Sequence, residues 1–232
     1  YFERDLGAEE ISESEFNQLP AFVRRGLSGD TDVGKTNPKA RIHRFRAEYF
    51  SRVTYTDGLI GKVVQTLTDE QLKEDTIIIY LSDHGEQMGD HGIFGKSVFY
   101  EYTCRVPLII SMPDRRAEKI HQNVCLTDLF PTLCDLAGGV EIEHELGGES
   151  LMPLLEGSEE NVEAVVFSEY MDWKALRPAY MIKRGSWKYC YYTGEPEFLY
   201  NLDEDPGEWR NYADDPAYAD VLEQVRADLR SR

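Results

Sequence analysis

The sequence has 232 residues, of which 41% are hydrophobic and 29% are charged, an ordinary composition for a globular protein. No apolar run approaches the roughly 18 residues that a membrane helix needs, so the sequence predicts no membrane span. The formal net charge of −18 argues against nucleic acid and anionic membrane surfaces as partners. An acidic protein that binds an anion has to concentrate positive charge locally, with a metal ion or a lysine.

The N-terminal residues have neither the basic region nor the apolar region of a signal peptide, and they lack a starting methionine. We therefore expect the chain to be a piece of a longer, soluble protein. A targeting signal would then lie in the remainder. The sequence leaves the compartment open between cytoplasm and periplasm, and it leaves the oligomeric state open.

The first half of the chain predicts helices that surround buried strands. Residues 14–27 favour a short helix, interrupted at Pro20. Residues 38–67 carry apolar side chains at helical spacing, with charges on the other face, and predict a long helix that covers a sheet. The apolar runs 76–82 and 106–112 are rich in β-branched residues and do not alternate. That pattern is typical of strands buried on both faces of a parallel sheet.

The second half predicts a different architecture. Residues 120–124 favour another strand, 127–137 a helix, and 147–155 a loop with a short helix. Four short strands with tight turns follow and predict antiparallel hairpins before a closing helix. These strands are 165–170, 179–184, 187–192 and 197–202, and the helix is 218–229. The predicted fold class is α/β, with a mostly parallel, helix-flanked sheet in residues 1–160 and a small antiparallel subdomain in residues 161–232.

A glycine-rich loop between the two apolar runs carries the candidate site. Asp83 and His84 stand where the first run ends, and in α/β sheets ligands bind at the carboxyl ends of strands. A carboxylate beside an imidazole suits a divalent cation, and Lys96 offers a positive charge for an anion. The alternatives are a turn residue that caps backbone amides for Asp83, a loop histidine for His84 and a solvated lysine for Lys96.

The same loop resembles a known family. The stretch SDHGEQMGDHGIFGK, followed by FYEYTCRVPLIISMP, resembles the C-terminal half of the type I, formylglycine-dependent sulfatases of the alkaline phosphatase superfamily, in the style of choline-sulfatase and iduronate-sulfatase. The stretches YFSRVTYTDGLIGKVVQTL, VCLTDLFPTLCDLAG, GESLMPLLEG and YMIKRGSWKYCYYTGEPEFLYNLDEDPGEWRNY agree with it. The resemblance covers about residues 40 to 232.

The resemblance implies roles for four residues. Asp83 and His84 would bind the catalytic divalent metal, most simply Ca²⁺, with Mg²⁺ or Mn²⁺ as alternatives. Lys96 would contact the sulfate group during catalysis. Two roles stay open for His91: it would either face the substrate or support the residues that bind the metal and the substrate.

The chain departs from the family pattern at the nucleophile. Family members use a formylglycine made from the Cys or Ser of a C/S-x-P/A-x-R motif, and none of the four cysteines fits it. We therefore expect the formylglycine to lie outside this chain, in a missing N-terminal half. The predicted function is the C-terminal portion of a sulfuric ester hydrolase, inactive alone. Two alternatives stay open: a phosphonate or phosphate ester hydrolase of the same superfamily, and a non-catalytic module that binds a metal or a partner.

The substrate cannot be named from the sequence beyond a sulfated small molecule or sugar. A substrate-pocket wall is a further hypothesis for Trp173, Lys174, Arg177 and Tyr180. Surface residues with aromatic packing are the alternative.

Overall fold

The computed structural model describes most of the chain. The described residues are 3–7, 11–21, 23–24, 38–113, 115–139, 143–172 and 177–232. The chain forms two compact units, residues 1–117 and residues 118–232. The domain boundary predicted after residue 160 stays a prediction. Among the described helices, none has both the length and the apolar character needed to cross a membrane.

Two helices open the first unit. Helix α1 spans Glu13–Gln18 and begins at a capping box, in which the Ser12 hydroxyl and the Glu15 carboxylate each accept a backbone N–H from the other residue. It ends before Pro20, where the predicted helix over 14–27 is interrupted, and Ala21, Val23 and Arg24 are helical again. Residues 22 and 25–27 lie outside the described residues. Helix α2 spans Pro38–Asp69, which confirms the long predicted helix.

The two apolar runs form a strand pair whose direction differs from the prediction. Strands β1 (Ile78–Leu81) and β4 (Leu108–Ser111) are antiparallel, with Ile78 opposite Ser111 and Leu81 opposite Leu108. The parallel pairing predicted for these two runs is therefore wrong. Apolar runs without alternation predict burial on both faces, but they do not fix which neighbour a strand pairs with or in which direction.

A small hairpin and a short helix lie between these two strands. The hairpin consists of β2 (Gln87–Met88) and β3 (Phe94–Gly95), and helix α3 spans Glu101–Cys104. The hairpin packs on α2, where the Phe45 ring meets the Phe94 ring edge to face at 4.9 Å. The loop that carries the candidate site is therefore built on the N-terminal half of the long helix.

Much of the first unit's apolar surface is exposed in this chain. From residue 51 to residue 69 of α2, every side chain is exposed except the half-buried Ile60, Val64 and Leu67. Val63 is 61% exposed, and Ile109 of β4 is 59% exposed. In the part of the chain that the structure describes, β1 and β4 contain no buried residue.

The second unit begins with irregular chain and two helices. Residues 118–125 form neither helix nor strand, so the strand predicted at 120–124 is wrong. Helix α4 spans Leu129–Leu136 and helix α5 spans Met152–Leu155. The buried Thr132 hydroxyl joins them, since it donates to the Asp128 carbonyl and accepts the N–H of Leu151.

A four-stranded antiparallel sheet with one helix on it completes the second unit, as predicted. The strands lie in sequence order: β5 Val165–Asp172, β6 Arg177–Arg184, β7 Trp187–Tyr192 and β8 Phe198–Asn201. Helix α6, Ala219–Arg230, packs against β6 and β7. The core that they share consists of Ile182, Tyr189, Leu199, Tyr212, Leu222 and Val225.

Ion pairs tie this sheet to the segments that follow it. The Lys188 ammonium lies 2.9 Å from the Glu208 carboxylate, and both side chains are fully buried. Arg184 binds both oxygens of Asp228 on α6, and Arg226 of α6 binds the Glu197 carboxylate. The terminal helix is therefore held by charge-assisted hydrogen bonds as well as by apolar packing.

Candidate active site

Asp83 and His84 follow directly after strand β1. The Asp83 carboxylate accepts the N–H of His84 at 2.9 Å, and its second oxygen lies 3.5 Å from Nε2 of His84. The Asp83 side chain is 84% exposed and that of His84 is 37% exposed. This hydrogen bond from the His84 backbone lowers the pKa of Asp83, so the group is an anion at neutral pH.

The hydrogen bonds of His84 determine which ring nitrogen carries the proton. Nδ1 lies 2.8 Å from the Gly85 carbonyl oxygen, which can only accept, so Nδ1 donates. In the neutral ring, Nε2 then presents a lone pair, and it lies 2.6 Å from Nζ of Lys96. A histidine in this tautomer has the donor that a metal binds at Nε2, and in this structure the Lys96 ammonium occupies that donor.

Lys96 reaches His84 because the hairpin turns the chain back. Gly95 pairs with Gln87 and Phe94 with Met88, so the chain leaves and re-enters the site on adjacent strands. Gly89 and Gly95 adopt positive φ angles of 93° and 97°, which favour glycine. The hairpin thereby brings together an imidazole and an ammonium that are twelve residues apart in sequence.

Backbone contacts to α3 anchor the start of the same loop. The N–H of Gly85 donates to the Thr103 carbonyl at 2.7 Å, and that of Glu86 donates to the Tyr102 carbonyl at 2.9 Å. A Cβ atom at position 85 would lie 2.0 Å from the Tyr102 carbonyl oxygen, so only glycine fits there. The buried Gln87 side chain donates to the Thr103 hydroxyl. The residues after His84 are therefore fixed by packing.

His91 is 2% exposed, and its ring stacks on the Tyr100 ring at a centroid distance of 4.0 Å. Additional protein around the loop can only bury this ring further. These contacts are those of a core residue, and they favour the supporting role over the substrate-facing role. The substrate-binding role of His91 stays a prediction without support from its surroundings.

Two of the four residues of the predicted pocket wall, Arg177 and Tyr180, lie in the described part of the chain. Trp173 and Lys174 lie outside the described residues. Arg177 begins strand β6, where it is exposed, and Tyr180 pairs with Glu169 and Tyr191 in the sheet. The Tyr180 ring stacks on the Phe167 ring at a centroid distance of 6.3 Å. This contact is the aromatic packing that was the alternative to a pocket wall.

One serine fits the nucleophile motif, and cysteine-based reasoning missed it. Ser111 begins the stretch Ser-Met-Pro-Asp-Arg, which matches S-x-P-x-R. It lies opposite Ile78 at the start of β1, whereas Asp83 follows the other end, so the length of β1, roughly 10 Å, separates them. Ser111 is therefore at the wrong end of the strand pair to attack a group bound at Asp83 and Lys96.

Sequence reasoning also missed Arg46 of helix α2. Its guanidinium donates to the Met88 carbonyl and to the Asp90 carboxylate in the hairpin. The available signal was its position beside Ile42 and Phe45 on the helix face that packs on the hairpin. An arginine on such a face has to find several acceptors there.

Among the described residues, no group of three or more histidines, cysteines or carboxylates gathers as a cation site.

Two family models match this chain, one described as Sulfatase over residues 9–140 and one as N-sulphoglucosamine sulphohydrolase, C-terminal, over residues 89–232. The chain belongs to the sulfatase family. The first stretch matched includes Asp83, His84 and Lys96.

Individual relatives agree with this membership. The sulfatase chain is 36% identical to choline-sulfatase of Rhizobium meliloti over 218 residues, which are 91% of this chain and 40% of that protein. It aligns with a phosphonate monoester hydrolase from Silicibacter pomeroyi at a TM-score of 0.84 and 26% identity, over 99% of this chain and 50% of that one. A solved structure of a 2-O GAG sulfatase aligns at a TM-score of 0.80 and 27% identity, over 98% of this chain and 52% of that one.

These likenesses confirm the alkaline-phosphatase-like α/β fold with its small C-terminal antiparallel sheet and terminal helix. The sulfatase chain spans two fifths of choline-sulfatase and half of each of these two solved structures.

Proposed function

We propose that this chain is the C-terminal portion of a metal-dependent sulfatase that hydrolyses sulfate esters. The observation that carries the proposal is the cluster after β1, where the Asp83 carboxylate, Nε2 of His84 and the Lys96 ammonium lie together. The first two suit a divalent cation and the third suits an anion. Sulfatase membership supports a sulfate ester as that anion.

Asp83 and His84 would hold a divalent cation, with Ca²⁺ proposed and Mg²⁺ or Mn²⁺ as alternatives. The donor types fit, because the Asp83 carboxylate faces solvent and Nε2 of His84 has a lone pair on the same side, which the Lys96 ammonium would have to release to the cation. Two donors are fewer than the about six to eight that Ca²⁺ takes, so further ligands have to come from elsewhere. A bound cation would supply positive charge against the negative charge that develops on the sulfuryl oxygens.

Lys96 would bind and orient the sulfate group. Its ammonium is exposed, and the hairpin fixes the backbone from which it extends. An ammonium held there can donate to a sulfuryl oxygen and stabilise the charge that grows as the ester bond breaks. The nucleophile is proposed to be a formylglycine outside this chain, since the cysteines do not fit the motif and Ser111 lies far from the cluster.

The proposed partner of this chain is the remaining part of the same polypeptide. The exposed apolar side chains of α2 and of the β1–β4 pair support this, because a soluble protein rarely leaves such a face uncovered. The share of the relatives that this chain spans supports it too. The proposed substrate is a sulfated small molecule or sugar.

The second candidate is a phosphonate or phosphate ester hydrolase of the same superfamily. The observation that favours it is the likeness to solved phosphonate monoester hydrolases, with TM-scores of 0.79 and 0.84. A cation beside an ammonium suits either anion. The third candidate, a non-catalytic module, requires that the complete polypeptide also lacks a nucleophile.

The test is hydrolysis of p-nitrophenyl sulfate and of a p-nitrophenyl phosphonate ester by the complete polypeptide. We expect faster turnover of the sulfate, and no turnover of either ester by the 232-residue chain alone. Asp83→Ala should abolish activity with little change in melting temperature, because this exposed side chain contributes little packing. Lys96→Ala should lower kcat about 10²- to 10³-fold.

Ser111→Ala is the matched control and should leave kcat/KM unchanged. Faster turnover of the phosphonate would favour the second candidate, the phosphonate or phosphate ester hydrolase. Inactivity of the complete polypeptide on both esters would favour the third, the non-catalytic module. Turnover by the 232-residue chain alone would contradict the absence of a nucleophile from it.

A further inference from the structure

Arg46 of helix α2 makes contacts beyond the hairpin itself. Its Nε donates to the Met88 carbonyl at 3.0 Å, and Nη2 donates to Oδ1 of Asp90 at 2.8 Å. Nη1 donates to the carbonyls of Leu6 and Gly7, each at 2.7 Å. The side chains of Arg46 and Asp90 are only 12% and 16% exposed. One guanidinium therefore joins the helix, the hairpin and the N-terminal segment.

The residues that Arg46 holds form the tip of the hairpin. The second oxygen of Asp90 faces the Met88 N–H at 3.4 Å, and the Ile93 N–H donates to the Asp90 carbonyl. At Gly89, a Cβ atom would lie 2.6 Å from Ile42 of α2, so the tip rests directly on the helix. The tip is thus clamped at Gly89 by packing and at Met88 and Asp90 by one arginine.

The position of the tip determines where Lys96 enters the site. Gly95, which pairs with Gln87, is the last residue of the hairpin, and Lys96 follows it. Lys96 is exposed, and its ammonium lies 2.6 Å from Nε2 of His84. A shift of the hairpin on the helix would therefore displace the Lys96 backbone, whereas His84 is anchored separately through Gly85 and α3.

We propose that Arg46 is a positioning residue for Lys96: through Asp90 and Met88 it fixes the hairpin on α2 and thereby holds the ammonium beside Nε2 of His84. The inference rests on the proposed function only where turnover is the readout. A lysine cannot replace this arginine fully, because an ammonium lacks the planar fork that reaches three directions at once. Misplacement of a reacting group by about 1 Å can cost up to 10²-fold in rate.

The experiment compares Arg46→Met, Arg46→Lys and Asp90→Asn in the complete polypeptide. We expect Arg46→Met to lower kcat/KM about ten- to a hundredfold, with the loss mainly in kcat, and the other two to lie between it and wild type. Arg44→Met is the matched control. Arg44 is the neighbouring arginine, 77% exposed, and its ion pair is with Glu48 at 2.9 Å, so its loss should leave kcat/KM within about twofold.

A second readout does not depend on turnover. In protein with ¹⁵N-labelled histidine and no added divalent cation, the Nε2 resonance of His84, assigned with His84→Gln, reports its hydrogen bond to Lys96. We expect this resonance to move towards that of a free ring nitrogen in Arg46→Met and to stay in place in Arg44→Met. A wild type without esterase activity would refute the proposed function, and this spectrum would still decide the positioning role.

Two results would overturn the positioning role. One is an Arg46→Met protein, folded at the assay temperature, with kcat/KM within twofold of wild type. The other is lost turnover with an unchanged His84 resonance, because the hairpin would then not be the route. Should Arg46→Met fail to fold, Arg46→Lys and Asp90→Asn are judged by the same two measurements.

Discussion

The two compact units of this chain differ in how much of their apolar surface they bury. In residues 118–232, the central residues of the sheet and its helix, such as Ile182, Leu199 and Val225, are at most 1% exposed. In residues 1–117, the strand pair β1–β4 contains no buried residue, and most of the second half of α2 is exposed. The first unit carries the candidate site, and the second carries the larger core.

This difference in burial follows from the number of strands that pair in each unit. Four antiparallel strands joined by tight turns pair with their neighbours in sequence, so one stretch of chain supplies both the sheet and the helix that covers it. A two-stranded pair leaves an edge on each strand and has too few neighbours to bury itself. The unit that holds Asp83, His84 and Lys96 thus leaves more apolar surface exposed, and this is the surface that we propose the rest of the polypeptide covers.

The largest expected effect is on the buried pair of the second unit. Glu208→Gln keeps the shape but removes the carboxylate charge that lies 2.9 Å from the buried Lys188 ammonium, which should cost about 3–5 kcal/mol of unfolding free energy. Urea unfolding followed by circular dichroism measures it. Glu48→Gln, in an exposed pair, should cost less than about 0.5 kcal/mol. A similar small cost for Glu208→Gln would show that water reaches the pair and would weaken the contrast between the units.

The next effect compares one apolar residue from each unit. Leu199→Ala should cost about 2–5 kcal/mol, because it opens a cavity in a closed core. Val63→Ala should cost nothing in the 232-residue chain, since Val63 is 61% exposed and alanine is the better helix former. In the complete polypeptide, where we propose that this face is covered, Val63→Ala should become destabilising. Equal effects of Val63→Ala in both proteins would contradict a covered face.

The smallest effect is a pH dependence from the ion pairs of the second unit. Arg226 lowers the pKa of Glu197, and Arg184 lowers that of Asp228. The stability they add is therefore present above the unfolded pKa of about 4 and is lost as the pH falls through the lower folded values. Because both carboxylates are partly exposed, each should contribute less than about 1 kcal/mol. Arg226→Met should flatten the acid limb of unfolding free energy against pH, and an unchanged limb would exclude that pair as its source.

The sequence predicted the local features well. Helix α2, the four strands of the second unit and the closing helix follow from periodicity and turn residues, and the loop that carries Asp83, His84 and Lys96 follows from its composition. Each of these signals lies within a few residues of chain. The predicted roles of Asp83, His84 and Lys96 stay predictions, although their side chains do gather.

The parts that the sequence did not predict are those set by distant residues. The antiparallel pairing of β1 with β4 joins segments about thirty residues apart, and apolar runs carry no direction. The burial of His91 depends on its stack with Tyr100, and the place of Ser111 depends on strand register. Arg46 contacts residues 39 to 44 positions away, and no local pattern marks such a contact.

Helix α2 is long enough for a small tilt to matter at the candidate site. Arg46 lies on its first half and Leu67 near its far end, about 32 Å away at the rise of an α-helix. Over that length, a tilt of about 2° moves one end by about 1 Å relative to the other, a displacement large enough to cost up to 10²-fold in rate. If the rest of the polypeptide covers the far half of the helix, as we propose, its placement there also sets the position of the hairpin that carries Lys96.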